Sequence, residues 1–525
     1  MERRDFIKKL GVASVGVPLL FQGLQVQAMT SMMQIDAQAE DRILVLVRLN
    51  GGNDGLNTVI PIDQFANLTM QRSNILLPEE SILNVTDSIG LHPVMTGMQG
   101  MFNDGKLGII QGVGYPEQNR SHFRSMDIWS SGLIDAPATT GWLGRKLSGD
   151  YPTYPTEYPS EEHPHPFAIN MGKGVSETCQ GTKSNFSHTV KDPSEVFDLS
   201  QGDFVHDGSC HSNQLEYINQ LINQTNLYGE QLNKAADAGN TLSELYDENN
   251  DLAVQFRNVA KLISGGLQTN IYILNVNGFD THSDQVDSSD SKIGNHADLM
   301  KTVSDGIVAF QDDLKLLGLE EKVIGMTFSE FGRQVASNAS YGTDHGDAAP
   351  MFMFGTCLDF TIKGDNPEIS DIVMKQEAVP MQTDFRDIYA SVLKDWFGVP
   401  TADIQSLFEN NINYQDIISC KISTEIDTEE ENVQTGIDNG SNTKDALAYP
   451  NPAYNTTTIR FNSEAEWVKI SVLDLSGNEI LVSVDTSLIK GTHDVQLDIA
   501  ELRSGYYVVS IQKDSGKITT KLQKM

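Results

Sequence analysis

Hydrophobic positions change their period along the chain, and the changes mark the elements. Arg42 to Leu49 is a nearly unbroken run of Leu, Ile and Val, the pattern of a parallel strand buried on both faces. Gly51-Gly52-Asn53-Asp54-Gly55 follows as a turn. Lys106 to Val113, Asn270 to Val276, Lys322 to Phe328 and Pro350 to Gly355 repeat the apolar run. Between them the period lengthens. Leu299, Val303, Ile307, Phe310 and Leu314 recur at three or four residues across His296 to Leu317, which predicts an amphipathic helix. Gln214 to Ile263 has helical spacing with polar interruptions, and Asp384 to Phe397 reads as a last helix. Tyr151 to His211, rich in Pro, Tyr, His and Ser, reads as an insertion or long loop. Strands alternating with helices predict an α/β sheet covered on both faces. No repeat with a period of ~20–50 residues is visible.

Both ends break this pattern. Arg3-Arg4 and Lys8-Lys9 precede an apolar stretch from Leu10 to Leu20, and Val26-Gln27-Ala28 supplies a small residue at a cleavage point. Residues 1–28 therefore read as an export signal. Arg3-Arg4 before Phe6 resembles the twin-arginine type, which exports folded proteins, although Glu2 stands where Ser or Thr is usual. The first cysteine is Cys179, so no lipid-anchoring Cys follows the apolar run. From 418 to 446 the chain loses aromatics and gains Asp, Glu, Asn, Ser and Thr, the composition of an acidic, solvated linker. Residues 447–525 then carry short alternating runs at Thr458 to Phe461, Val468 to Leu473, Val495 to Ile499 and Tyr506 to Ile511. Turn signals such as Ser476-Gly477-Asn478 separate them, which predicts a small β-sandwich.

Tyr449-Pro450-Asn451-Pro452, Val468 to Gly477, Leu502 to Val509 and a basic last strand from Lys517 to Met525 resemble the C-terminal sorting domain of the bacterial type IX secretion system. A carbohydrate-binding sandwich is the alternative for this tail. The resemblance implies a Bacteroidota-like source and a secreted or cell-surface protein that passes through the periplasm. Its partners would be the twin-arginine export machinery and the type IX secretion machinery.

The chain of 525 residues has 37 Lys+Arg against 71 Asp+Glu, a formal net charge of −34. A field of that sign disfavours a nucleic-acid or anionic-membrane binder, since both need basic patches. It favours bound cations. No internal apolar run approaches the ~20 residues of a membrane span. Four cysteines in an exported protein predict disulfides. Cys179 with Cys210 is the expected pair, because both lie in one loop-rich segment, leaving Cys357 with Cys420.

The candidate chemistry lies at strand ends, where α/β sheets bind ligands. Asn53 and Asp54 follow the first strand; Asp280, His282 and Asp284 follow Val276; Ser329, Glu330 and Arg333 follow Phe328; Asp344 and His345 precede Met351. Each alone would be a turn or a cap. Together, carboxylate oxygens with imidazole nitrogens suit zinc, or manganese and magnesium where oxygens dominate. The Gly51-Gly52 turn lacks the spacing of a dinucleotide-binding loop. Asn119 to Trp129 reads as a helix start that presents Ser121 at its positive end. A metal and a helix N-terminus can activate such a serine, although a Ser there is ordinarily only an N-cap. The adjacent His122 would be a second-shell donor. No Gly-x-Ser-x-Gly elbow supports an acyl-transfer triad.

Arg48 to Pro61, Ser121-His122-Phe123, Gly141 to Arg145, Gly278 to His282, Phe328 to Arg333 and Asp344-His345-Gly346 resemble segments of the domain-of-unknown-function 1501 family. That family is itself similar in fold to the alkaline phosphatase and sulfatase superfamily. The resemblance implies an alkaline-phosphatase-like three-layer α/β/α sandwich over residues 41–417. It assigns Ser121 as nucleophile, with His122 beside it, and Asp54, Asp280, His282, Glu330 and His345 as ligands of a divalent metal. Zinc comes first, with manganese, magnesium or calcium as alternatives. Arg333 would neutralise an anionic substrate. Two departures stand out. Phe331 occupies the place of a usual metal-binding His, and Phe123 and Ser125 replace the Pro and Arg of the sulfatase C/S-x-P-x-R motif, which disfavours formylglycine chemistry. The implied function is a secreted metal-dependent hydrolase of phosphate-type rather than sulfate esters. Its acidic surface favours a small or neutral ester. The alternative is a non-catalytic surface or glycan-binding protein that keeps the hydrolase fold.

Overall fold

A computed structural model of the chain describes residues 41–135, 139–193, 210–408, 412–421, 446–449, 453–463, 466–473, 479–500, 502, 505–513 and 516–524. The export signal expected at 1–28 and most of the expected linker lie outside these residues. The chain divides into two compact units, Met1–Asp427 and Thr428–Met525.

The first unit is built on a nine-stranded sheet. Its strands are β1 (Ile43–Asn50), β2 (Leu107–Gly114), β3 (Ala168–Met171), β4 (Ser187–Val190), β5 (Ile271–Asn277), β6 (Val323–Phe328), β7 (Ala349–Phe354), β8 (Ile362–Lys363) and β9 (Thr383–Asp384). The order is β8-β2-β7-β6-β1-β5-β3-β4, with β9 also pairing β2. The ladders are parallel except those of β7, which runs antiparallel to β2 and β6. Pro350 sits where the β7–β2 register shifts, at a point where the missing N–H costs no regular ladder bond.

Both faces of the sheet are covered, which explains the unbroken apolar runs. In β1, Val45, Val47 and Leu49 enter one core and Leu44 and Leu46 the other. The first core is closed by helices α2 (Thr96–Asn103), α5 (Cys210–Ala238), α6 (Asp251–Ser264) and α7 (Asn295–Leu317). The second is closed by α3 (His122–Ser131), α4 (Trp142–Asp150) and α8 (Phe385–Ser391). Helix α1 (Phe65–Arg72) contributes Leu68 to a smaller cluster. The result is a three-layer α/β/α arrangement. The periodic helix of the sequence, His296 to Leu317, is α7, and its Phe310 stacks on Phe256 of α6 at 4.6 Å.

Two expectations need correction. Tyr151 to His211 is not only a loop, because it supplies β3 and β4 to one edge of the main sheet. The expected Cys179–Cys210 bridge is not formed: Cys179 is a free, buried thiol. Cys357 and Cys420 do form a disulfide, across a sequence separation of 63. The backbone bridge between Leu358 and Ile418 brings that pair together.

The second unit is all β. Its strands are β10 (Ala446–Tyr449), β11 (Thr456–Ser463), β12 (Glu466–Leu473), β13 (Glu479–Leu488), β14 (Gly491–Asp498), β15 (Gly505–Lys513) and β16 (Gly516–Lys524). They form antiparallel sheets β10-β11-β14 and β13-β12-β15-β16. Alternate residues, among them Ile459, Phe461, Val468, Ile470, Val472, Val509 and Ile511, make its core, as period-two patterning requires. No helix among the described residues is long and apolar enough to cross a membrane.

Candidate metal centre

The carboxyl ends of β1, β5 and β6, the start of β7 and the start of α3 meet at one end of the main sheet. Gly51 and Gly52 turn the chain sharply after β1, with φ of 126° and 91°. A side chain at Gly52 would collide with the Phe331 ring, 2.5 Å from the Cβ position. The glycines are therefore required by close packing of this loop, Gly51 on the backbone of Phe279 and Asp280 after β5 and Gly52 on Phe331 after β6. Gly51 N–H donates to Glu330 Oε1 at 2.8 Å, and Asn53 N–H donates to Ser329 Oγ at 3.1 Å.

Four predicted residues converge here. Asp280 Oδ1 lies 3.2 Å from His282 Nε2 and 3.1 Å from His345 Nε2. Asp280 Oδ2 lies 3.5 Å from His122 Nε2. The Nε2 atoms of His282 and His345 are 2.9 Å apart. Among the described residues, ligand atoms of His122, Asp280 and His345 all lie within 4.8 Å of one another.

The other ring nitrogen of each histidine fixes what these Nε2 atoms present. His122 Nδ1 faces Glu330 Oε1 at 3.0 Å, His282 Nδ1 faces Asp344 Oδ1 at 2.9 Å, and His345 Nδ1 faces the Arg120 carbonyl at 2.9 Å. Carboxylates and carbonyls only accept, so each Nδ1 must carry the proton. A neutral imidazole then has its lone pair on Nε2. Each Nε2 either carries a second proton and donates to Asp280 or to the facing ring, or offers its lone pair to a cation placed among them. Histidine held by a carboxylate or carbonyl on its far nitrogen is the usual second shell of a metal site.

The charges agree. Burial raises the Asp280 carboxyl, but hydrogen bonds from Arg333 and His345 outweigh it and hold the group down to about 2. Burial lowers His345, against opposing contributions from Asp280 and the Arg120 carbonyl, so it favours the neutral, metal-binding form. Glu330 is 3% exposed, and its Oε2 has no hydrogen-bond partner. An unpaired carboxylate oxygen this deep costs free energy unless a cation or a proton meets it. The donor set and this orphaned oxygen both fit a divalent metal. Phe331 is the floor beneath the centre, with its ring 5.0 Å from His122 and 4.5 Å from His345.

Three predicted residues stand differently. Asp54 is buried, and Arg72 Nη1 reaches its two oxygens at 3.0 and 2.9 Å while Gln285 Nε2 reaches Oδ2 at 2.6 Å. Its carboxylate is thus occupied by Arg72 and Gln285 rather than gathered with the histidines. Arg333 is 1% exposed and bonds to five acceptors: the carbonyls of Gly51, Gly52, Thr343 and Phe279, and Asp280 Oδ1. It ties together the loops after β1 and β5 and the one before β7, and is buried among them rather than turned toward a substrate anion. Ser121 is the N-cap residue of α3 by backbone, makes no side-chain cap bond and is exposed. Sequence reasoning named Asp344 beside His345 without giving it a role, and missed Arg72 and Gln285. Asp344 is signalled by its adjacency to His345; Arg72 and Gln285 carry no signal in the sequence.

The fold and the cluster define an α/β/α protein with a histidine–carboxylate centre at its strand ends. Residues 234–408 match the family described as a protein of unknown function, DUF1501, and residues 447–525 match the secretion system C-terminal sorting domain. Both resemblances read from the sequence thus hold over those segments. The sorting-domain match points to secretion or the cell surface of a Bacteroidota-type bacterium. No curated protein matches the chain. Similar solved structures include a protein of the alkaline phosphatase superfamily from Vibrio parahaemolyticus, with 9% identity, 89% of this chain and 93% of that chain covered, and a TM-score of 0.31. A sulfatase from Pseudoalteromonas sp. shares 9% identity over 90% of this chain and 87% of that one, with a TM-score of 0.30. A phosphonate monoester hydrolase from Silicibacter pomeroyi shares 7% identity over 92% and 89%, with a TM-score of 0.31.

Proposed function

We propose that the first unit is a metal-dependent hydrolase of phosphate-type esters, with sulfate esters a poorer substrate class. One observation carries the reading: the Nε2 atoms of three histidines, each held on its other ring nitrogen by an oxygen acceptor, converge on the Asp280 carboxylate. His122, Asp280 and His345 would hold the ion, with His282 beside them. Nitrogen ligands with one carboxylate favour zinc over manganese, magnesium or calcium. When bound, such an ion polarises an ester oxygen and lowers the pKa of a hydroxyl or water.

The chain's own residues do the rest. Glu330 orients His122 through Nδ1. Arg333 holds Asp280 and the loops around it. Ser121, one residue before His122 at the positive end of α3, is the proposed nucleophile. The test is hydrolysis of an aryl phosphate and an aryl sulfate by the purified chain with added zinc, beside a Ser121→Ala variant. Loss of turnover in Ser121→Ala with the metal retained supports the assignment. No hydrolysis of either ester by the metal-loaded chain would refute it.

A second reading, an exported binding protein that keeps the fold, is favoured by Arg333, which is buried and tied to four backbone carbonyls and Asp280 rather than facing a substrate. Export is assigned to the twin-arginine route followed by the type IX machinery. Exchange of Arg3 and Arg4 for lysines should abolish it, and unchanged export would contradict that route.

A further inference from the structure

Helix α3 carries more than His122. Phe123 and Asp127 lie on its exposed side about one turn apart, and the buried Ser130 follows a turn further on the same side. Phe123 is 87% exposed, the most exposed of the large apolar side chains among the described residues. Nothing in the core explains it. Beyond it, Asp127 and Ser130 form one wall of an open cleft of about 200 Å³, whose other side includes Thr139, Thr140, Val175 and Glu177. With Gln180 and Asn185 the lining offers hydroxyls, carboxamides and carboxylates, and among the described residues no lysine or arginine is part of it. Arg145 lies behind this wall and donates to the carbonyls of Thr140, Ser131 and Leu407. Arg48 approaches Glu177 at 3.9 Å.

A cleft lined by hydroxyls, carboxamides and carboxylates beside apolar surface, and by no lysine or arginine among the described residues, disfavours anions. It suits a ligand rich in hydroxyl groups, and an exposed aromatic on the same face offers a surface for the apolar face of a sugar ring. Ser130 lies eight residues beyond His122, a rise of ~12 Å along the helix. We propose that this face of α3 is a saccharide subsite: an uncharged oligosaccharide lies in the cleft and across Phe123, with an ester substituent directed to the metal centre. The binding site stands by itself. The assignment of the saccharide as the ester's carrier rests on the hydrolase reading above.

The test is calorimetric titration of the full chain with neutral hexasaccharides of glucose, mannose, galactose and xylose, and with a polysulfated saccharide as contrast. Binding of at least one neutral chain is expected, with Phe123→Ala and Asp127→Ala each weakening it about tenfold, as for truncation of a binding-site anchor. Both side chains are exposed, so folding and metal content should stay at wild-type values. Absence of binding to every neutral chain, preference for the polysulfated one, or unchanged affinity in both variants would overturn the proposal. Saccharide binding by a chain that holds no metal would leave the subsite standing and remove the hydrolase reading instead.

Discussion

Arg333 offers the sharpest perturbation. Its guanidinium is buried and serves four backbone carbonyls and the Asp280 carboxylate. Lysine keeps the charge but has three donors on a compact head and cannot span five acceptors. In Arg333→Lys at least two acceptors lose their partner. Each buried, unsatisfied acceptor costs ~1–3 kcal/mol, so a loss of ~2–6 kcal/mol is expected. That is a large share of the ~5–15 kcal/mol that stabilises a typical domain. Urea unfolding followed by tryptophan fluorescence should show a lower midpoint with an unchanged slope. Metal affinity should fall too, because Asp280 loses the donor that orients it. If Arg333 instead served to neutralise a substrate anion, stability would stay within ~0.5 kcal/mol of wild type, as for an uninvolved surface site, and only KM would rise. That result would refute the tethering role.

Other expectations follow from single contacts. Glu330→Gln replaces the carboxylate that holds His122 Nδ1; metal affinity measured by competition with a chelator should drop ~10-fold or more, as for other outer-shell partners, and unchanged affinity would exclude that role. Cys357→Ser with Cys420→Ser opens a loop of 63 residues and should cost ~4 kcal/mol by loop entropy, read as a lower thermal midpoint absent from Cys179→Ser. Burial holds His296 down to about 4 and His92 to about 3. Unfolded histidine titrates near ~6.5, so the unfolded chain binds protons that the fold refuses. Their contribution is full above about pH 6.5 and is lost as pH falls toward about 4. Asp54 adds a later loss: burial raises its carboxyl, but Arg72, His296 and Gln285 outweigh it and keep it below the ordinary value, so its contribution fades once pH drops below ~3.9. The wild-type urea midpoint should be lower at about pH 5 than at about pH 7.5, with a smaller difference in His296→Gln; equal differences would remove His296 from the account.

Much of the fold is legible in the sequence because strands buried on both faces cannot hide. Ile43–Asn50, Ile271–Asn277 and Val323–Phe328 are continuous apolar runs and form neighbouring strands of the sheet. Ala168–Met171 and Ser187–Val190 escape notice because each is four residues long and they pair at the sheet's margin. The Cys179–Cys210 expectation fails because closeness in sequence is a poor guide to closeness in space. Cys179 is sealed in the core beside Trp142 and Phe186, whereas Leu358 and Ile418 zip together next to Cys357 and Cys420. At the site, residue type and strand-end position point to His122, Asp280, His282 and His345, which the fold gathers. The same signals cannot say what occupies a side chain. Asp54 looks like a free ligand until Arg72, on a different element, takes its carboxylate, and Arg333 looks like an anion receptor until four backbone carbonyls take its donors.

The central claim is that His122, Asp280 and His345 hold a divalent metal. Equilibrium dialysis of the purified full chain against zinc, followed by elemental analysis, tests it most directly. About one ion per chain should be retained by wild type and lost in the His122→Ala, Asp280→Ala, His345→Ala triple variant, with the fold intact by circular dichroism. A wild-type chain that retains no metal, or a triple variant that retains as much as wild type, would contradict it.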